Sequence, residues 1–130
     1  MPSPRARTGA RGEKIAQAYL REQGYQIRDT NVRSTWGEVD IVASHGEELV
    51  FVEVRTRRSH QFGSAEESIS AAKKEWLIAT AETYIQGLAE LPAQWRIDLV
   101  SVQIGERGKI KEIRHLENAV ELDYSTTKVT

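Results

Sequence analysis

The sequence predicts an α/β protein: a mixed sheet of about five strands flanked by helices in a three-layer sandwich. Residues 12–23 and about 70–87 carry apolar side chains at helical spacing. Between and after them, apolar and polar residues alternate with the period of two that a half-buried strand requires. The resulting order is helix, three strands, helix, two strands. Strands joined by tight turns pair antiparallel, while strands joined through a helical crossover can pair parallel, so this order yields a mixed sheet with helices on its faces. At 130 residues the chain is long enough for one domain with a single core.

Residues 1–11, "MPSPRARTGAR", combine Pro, Arg, Gly and Ser with almost nothing apolar and read as a flexible arm. The domain is therefore expected to occupy residues 12–117. Its first helix presents Ile15, Ala16, Tyr19 and Leu20 on one side and stops at Gly24. "YQIRDTNVR" alternates as a strand, and "WGEVDIVA" and "ELVFVEVRT" are stronger strands joined by a turn containing His45 and Gly46. Residues 59–68 read as a polar loop or one short turn. The second helix is capped by Ser70 and Gly87 and gathers Leu77, Ile78, Ala81, Tyr84, Ile85 and Leu88 on one face. Pro92 leads into the strand "WRIDLVSVQI", and "GERGK" turns into a last strand, "KIKEIRHL". Residues 118–130 read as a disordered polar tail.

Charge and composition exclude several classes. The net charge is -1, with ten Lys/Arg against eight Asp/Glu in residues 1–60 and eight against eleven in residues 61–130. No nucleic-acid signal comes from the total, although Arg55, Arg57 and Arg58 are either a phosphate-contacting cluster or a solvated strand edge. The absence of cysteine removes disulfides and thiolate metal sites. With no signal-peptide-like start and no apolar run long enough to span a bilayer, the expected location is the cytoplasm, without a membrane partner.

Two carboxylates stand inside apolar strands, Asp40 between Val39 and Ile41 and Glu53 between Val52 and Val54. Alternation puts Phe51, Glu53 and Arg55 on one face and Val50, Val52 and Val54 on the other. A four-residue loop from His45 to Glu48 sets Asp40 opposite Glu53, and a two-residue loop is expected to move them to a diagonal; either way they share a face. Opposed carboxylates in adjacent strands lie about 5 Å apart at Cβ and destabilise the pair unless a cation joins them. Mg²⁺ is held by one or two carboxylates together with carbonyls, water and substrate phosphate oxygens. The alternative is that both acids belong to the solvent face of an amphipathic hairpin. Glu38, on the face of Asp40, is either a third acid or the exposed start of a strand.

Gly37, Glu38, Asp40, Glu53, Val54 and Arg55 resemble the core motif of the PD-(D/E)XK nuclease superfamily, in which an Asp ends one strand and a Glu-x-Lys lies on the next. More narrowly, "GEKIAQAYLREQGYQIRDTNVR", "GEVDIVA", "LVFVEVRTR", "FGSAEESIS", Lys73 and "WRIDLVSV" are similar in order and spacing to the YraN-like family, related to archaeal Holliday junction resolvases. The resemblance implies a restriction-endonuclease-like core and a Mg²⁺ or Mn²⁺ site made by Asp40, Glu53 and the backbone carbonyl of Val54. It also implies a catalytic Glu13 on the first helix, a position equally open to an exposed first-turn Glu. DNA, branched structures included, is the implied partner, with Arg57, Arg58 and Lys73 as contacts; taken alone, Lys73 reads as a surface residue rather than a phosphate contact. A homodimer is a further expectation, since most oligomers are symmetric and junctions present paired strands.

The resemblance fails at one position, where the superfamily lysine is Arg55. Arginine stays charged and cannot act as a general base. This leaves two readings: a metal-dependent endonuclease, or an inactive nucleic-acid- or protein-binding module on the same scaffold. His45, His60 and His115 lack metal-ligand spacing, and there is no phosphate-binding glycine loop or nucleophile elbow. Trp36, Trp76 and Trp95 read as core or interface packing rather than a base-stacking platform.

Overall fold

The computed structural model describes residues 3–58 and 69–122. Helix α1 (Pro4–Glu22) leads into strands β1 (Gln26–Arg33), β2 (Glu38–His45) and β3 (Glu48–Arg58); helix α2 (Ala71–Gln86) leads into β4 (Gln94–Ile104) and β5 (Ile110–Val120), with a 3-10 turn at Glu106–Gly108 between these last two. The strands lie in the order β1-β2-β3-β4-β5. All neighbours pair antiparallel except β3 and β4, which are parallel because the connection through α2 returns the chain to the same end of the sheet. The outcome is an open, mixed five-stranded sheet with one helix on each face, an α/β fold consistent with a restriction-endonuclease-like sandwich.

β3 supplies the core on both sides. Its even-numbered Val50 and Val52 pack with Ile41, Ala43, Val100 and Val102 beneath Ala16 and Leu20 of α1. Its odd-numbered Leu49 and Phe51 pack with Val42 and Ile97 beneath Leu77 and Ala81 of α2. Phe51 meets Tyr84 and Trp95 edge-on, each at 5.7 Å between ring centroids. α2 starts where Ser70 Oγ accepts the Lys73 N–H at 3.1 Å and ends at Gly87, as its sequence predicts. Among the described residues, no helix is long and apolar enough to cross a membrane.

Four expectations need correction. Residues 4–11 are helical rather than a flexible arm. Proline suits the first turn of a helix, where no N–H is needed, and α1 is fastened by contacts that apolar spacing cannot reveal. Gly12 is buried so closely on β3 that a Cβ there would lie 1.8 Å from Thr56 Oγ1 and 2.9 Å from Thr56 Cβ, and Arg58 donates from Nη2 to Thr8 Oγ1 at 3.2 Å. At the other end, β5 continues to Val120, which pairs with Ile97 and is buried, so the domain extends beyond residue 117. A bulge hides this extension: the register shifts between Ile97 and Leu99, and Asn118 takes φ 52, which breaks the alternation. The β2–β3 turn is Gly46-Glu47, closed by His45 opposite Glu48, with Gly46 at φ 63. Trimming one residue from each side of a loop preserves pairing, so this two-residue turn keeps Asp40 in line with Glu53 rather than on a diagonal. Finally, Trp95 packs in the core, while the exposure of Trp36 and Trp76 removes core packing for these two and leaves the interface alternative. The polar segment 59–68 and residues 123–130 of the polar tail lie outside the described residues.

A buried polar network crosses the α1 side of the sheet. Asp98, fully buried, accepts Arg96 Nε at 2.9 and 3.1 Å, lies 2.7 Å from His115 Nε2, and accepts the Asn118 N–H at 3.0 Å. Arg96 also donates to Glu48 and, at 2.6 Å, to Tyr25 Oη, whose ring stacks on His45 at 4.2 Å. Burial alone would raise the Asp98 pKa, but the hydrogen bonds from His115, Arg96 and the Asn118 amide outweigh it and hold the carboxyl below its ordinary value. Removing one partner of a buried ion pair strands the other.

Two substitutions test this arrangement by urea denaturation. Asp98→Ala is expected to cost about 3–5 kcal/mol by leaving Arg96 buried without its main anion. Gly12→Ala is expected to destabilise by about 1–3 kcal/mol through overpacking, despite the roughly 1 kcal/mol that alanine gains over glycine in a helix interior. Thr56→Ala should recover part of that loss in the double variant. A Gly12→Ala protein as stable as wild type would refute the close helix–strand contact.

Candidate metal centre

The backbone ladder between β2 and β3 runs from His45 opposite Glu48 to Ile41 opposite Val52. One step further, the Val54 N–H donates to Asp40 Oδ2 at 2.7 Å. A side chain thus receives a strand amide, and Asp40 is fixed where the two strands begin to part. Glu53 belongs to the same register and the same face, and it is 4% exposed. The charge of Asp40 acts on both Glu53 and Glu13.

Each neighbour reaches this point from a different element. Glu13 follows buried Gly12, so the tight docking of α1 on β3 delivers it. Glu38 begins β2, where its Oε2 lies 3.4 Å from Arg33 Nε of β1. Asn31 bridges the two, donating from Nδ2 to Glu13 Oε2 at 3.2 Å and to Glu38 Oε1 at 2.9 Å. Its backbone is left-handed, φ 50, a conformation that asparagine tolerates better than most residues. Glu13, Glu38 and Asp40 each offer an oxygen, and these three oxygens lie within 4.8 Å of one another.

Cations stand on the Glu53 side. Arg55 Nη2 is 3.3 Å and Lys73 Nζ of α2 is 3.7 Å from Glu53 Oε2. Arg55 Nε is buried without a hydrogen-bond partner among the described residues. They do not balance the acids. Burial, then the charge of Asp40, push Glu53 from 4.5 up to about 7 against the pull of Lys73 and Arg55. Burial, then the charge and hydrogen bond of Asp40 and the charge of Glu38, push Glu13 from 4.5 up to about 7. Asp40 is also raised, by burial, with the Val54 amide working in the opposite direction. A cluster of partly desolvated carboxylates is stable only with protons or a cation among them. An all-oxygen donor set with open sides is the kind that Mg²⁺ or Mn²⁺ takes.

The residues singled out in the sequence are distributed as follows. Glu13, Glu38 and Asp40 come within metal-sharing distance of one another, and Glu53, which feels the charge of Asp40, carries Arg55 and Lys73 beside it. Val54 meets the site through its N–H. Arg57 and Arg58 continue β3 beyond it, with Arg58 tied to Thr8. Asn31 was not visible as a site residue; its only trace was an asparagine interrupting a strand-like run.

Comparison with known proteins places this geometry in a wide group. The model of the uncharacterised protein family UPF0102 matches residues 12–102, from the buried glycine of α1 to β4. The chain is similar to a UPF0102 protein of Roseiflexus castenholzii, 42% identical over 123 residues that cover 93% of this chain and 98% of that one. It is also similar to a UPF0102 protein of Dehalococcoides mccartyi, 48% identical over 104 residues covering 78% and 84%, and to one of Syntrophotalea carbinolica, 39% identical over 123 residues covering 95% and 98%. On these matches the chain belongs to the uncharacterised protein family UPF0102.

Proposed function

We propose that this protein is a Mg²⁺- or Mn²⁺-dependent endonuclease that hydrolyses phosphodiester bonds in DNA, branched or structured DNA among its substrates. The observation that carries the reading is the convergence of Glu13, Asp40 and Glu53, with Arg55 and Lys73 beside them, at the point where β2 and β3 part. The resemblance of Asp40, Glu53, Val54 and Arg55 to the PD-(D/E)XK motif supports it.

Asp40 and Glu53, with the carbonyl of Val54 and with Glu13 and Glu38 alongside, are the groups that would hold the ion. When bound, the ion supplies Lewis-acid stabilisation of phosphoryl charge and a water of lowered pKa. The remaining roles belong to the chain. Arg55 contacts the phosphate, its unpaired Nε being free to meet an oxygen as negative charge grows there. Because Arg55 cannot accept a proton, the attacking water would lose its proton to a carboxylate of the cluster or, its pKa being lowered, to solvent. Lys73 adds a compact ammonium at Glu53, the type of charge that Arg55 replaced in β3, and Arg57 and Arg58 prolong the basic edge along the DNA.

The second reading is a binding module without turnover. The ion pairs that Arg55 and Lys73 make with Glu53 favour it, because an ion must compete with them. Titration with Mn²⁺ decides between the two alongside cleavage of linear, nicked and four-way-junction DNA. For the enzyme, wild type binds the ion and cuts; Asp40→Ala loses both, and Arg55→Ala cuts at least about a hundredfold more slowly while still binding the ion. Cutting that survives unchanged in Glu53→Ala would come from a contaminant.

The acid cluster also predicts a pH dependence. Glu13 and Glu53 rise from 4.5 to about 7 on folding, so between those values the folded state holds protons that the unfolded state has released. Their contribution to stability is therefore full below about 4.5 and is lost as the pH climbs to about 7. Melting temperatures in EDTA should show this decline beside a flatter profile for Glu53→Gln, and excess Mg²⁺ should offset it more at neutral pH than near pH 5, because fewer protons must be displaced. Identical profiles for the two proteins would remove Glu53 from the cluster.

A further inference from the structure

We infer that Trp36 and Trp76 form a stacking platform for unpaired bases, so that the proposed nuclease takes DNA in which a single-stranded segment adjoins the bond to be cut. The inference rests on the endonuclease reading and adds a substrate class to it. Both indoles are large apolar groups left in water, Trp36 54% and Trp76 48% exposed. Neither is on a frayed end. The Trp36 N–H donates to Ser34 Oγ at 3.0 Å, and Ser34 Oγ lies 2.8 Å from Thr80 Oγ1 of α2. The Ser34 N–H donates to the Gly37 carbonyl at 2.8 Å, and a Cβ on Gly37 would lie 3.7 Å from Trp76 Cβ. The β1–β2 loop is thus fastened against α2 at Trp76, and both aromatic residues stand on a prearranged surface.

The position of that surface identifies its occupant. Lys73, Trp76 and Thr80 follow one another along one side of α2 at spacings of three and four. Thr80 holds the loop, and Lys73 reaches Glu53 at 3.7 Å; Trp76 stands about one helical turn along α2 from that lysine. Arg33, whose side chain is 81% exposed, enters the loop from the other side, and exposed Lys74 lies in the first turn of α2. Aromatic faces between cations, beside a site for a phosphodiester, suit a strand whose bases stack while its phosphates meet the basic groups. A second copy of the chain fits less well, because two half-exposed indoles present far less than the roughly 800 Å² that each partner contributes to a stable interface.

The test titrates an oligothymidine of about 12 nucleotides into wild type, Trp36→Ala and Trp76→Ala, with Ca²⁺ in place of Mg²⁺, and follows tryptophan emission and fluorescence anisotropy. Quenching is expected in wild type, and each tryptophan variant should bind about tenfold more weakly, the size of one lost base stack. Affinity for fully paired duplex should not change. Equal oligothymidine affinity in all three proteins would overturn the platform, as would sedimentation showing that the tryptophans hold a dimer while DNA affinity is untouched. Cleavage separates the two claims. If wild type and both tryptophan variants cut paired duplex and flapped DNA equally well, the platform fails and the nuclease stands; if wild type cuts nothing but loses oligothymidine binding with either tryptophan, the nuclease fails and the platform stands.

Discussion

Asp40 Oδ2 accepts the Val54 amide where β2 and β3 begin to part, and the rest of the site follows from that bond. A carboxylate in this place does two things that a backbone carbonyl cannot. It brings a negative charge to the mouth between the strands, and it leaves its second oxygen available to other groups. Glu13 and Glu38 bring carboxylate oxygens within 4.8 Å of it and of each other, and Glu53 feels its charge from β3. Such a cluster is costly in a partly desolvated sheet unless protons or a divalent ion neutralise it.

The Asp98 network shows what a purely structural carboxylate looks like in the same sheet. Asp98 is more deeply buried than Asp40, yet its pKa is lowered while that of Asp40 is raised. The difference lies in the partners. Asp98 has a guanidinium, an imidazole and a backbone amide aimed at it, whereas Asp40 has one amide and three acids nearby. A protein folding only for stability satisfies its buried charges, as this one does at Asp98. At Asp40 the nearby Lys73 does not outweigh burial and the acids, and that imbalance is what the proposed metal site would use.

Much of this was legible in the sequence because it depends on period and charge. Alternation gave the order of the strands, helical spacing gave α1 and α2, and acids inside valine runs gave Asp40 and Glu53. What remained hidden depends on local geometry. The first turns of α1 are fastened through a glycine and a hydroxyl, which leave no apolar period. The end of β5 follows a bulge that interrupts alternation at Asn118. Asn31 enters the site through a left-handed backbone, and Arg96, Asp98 and His115 meet from two strands in a network that no linear spacing announces. Trp36 and Trp76 read as core or interface packing, and only the packing of the loop on α2 shows that they lie outside the core.

The acid cluster draws on all three layers. Glu13 comes from α1, Glu38, Asp40 and Glu53 from the sheet, and Lys73 from α2. Occupation by a cation would add free energy to the docking of α1, which supplies an acid, while competing with the Lys73 ion pair that comes from α2. The closeness of Gly12 to Thr56 makes the dependence acute. A shift of α1 large enough to admit one methyl group moves the next residue, Glu13, away from Asp40. The same contact that fixes the first layer on the second therefore sets the spacing of the carboxylates, and selection for metal binding at Glu13 and for packing at Gly12 would act on one piece of backbone.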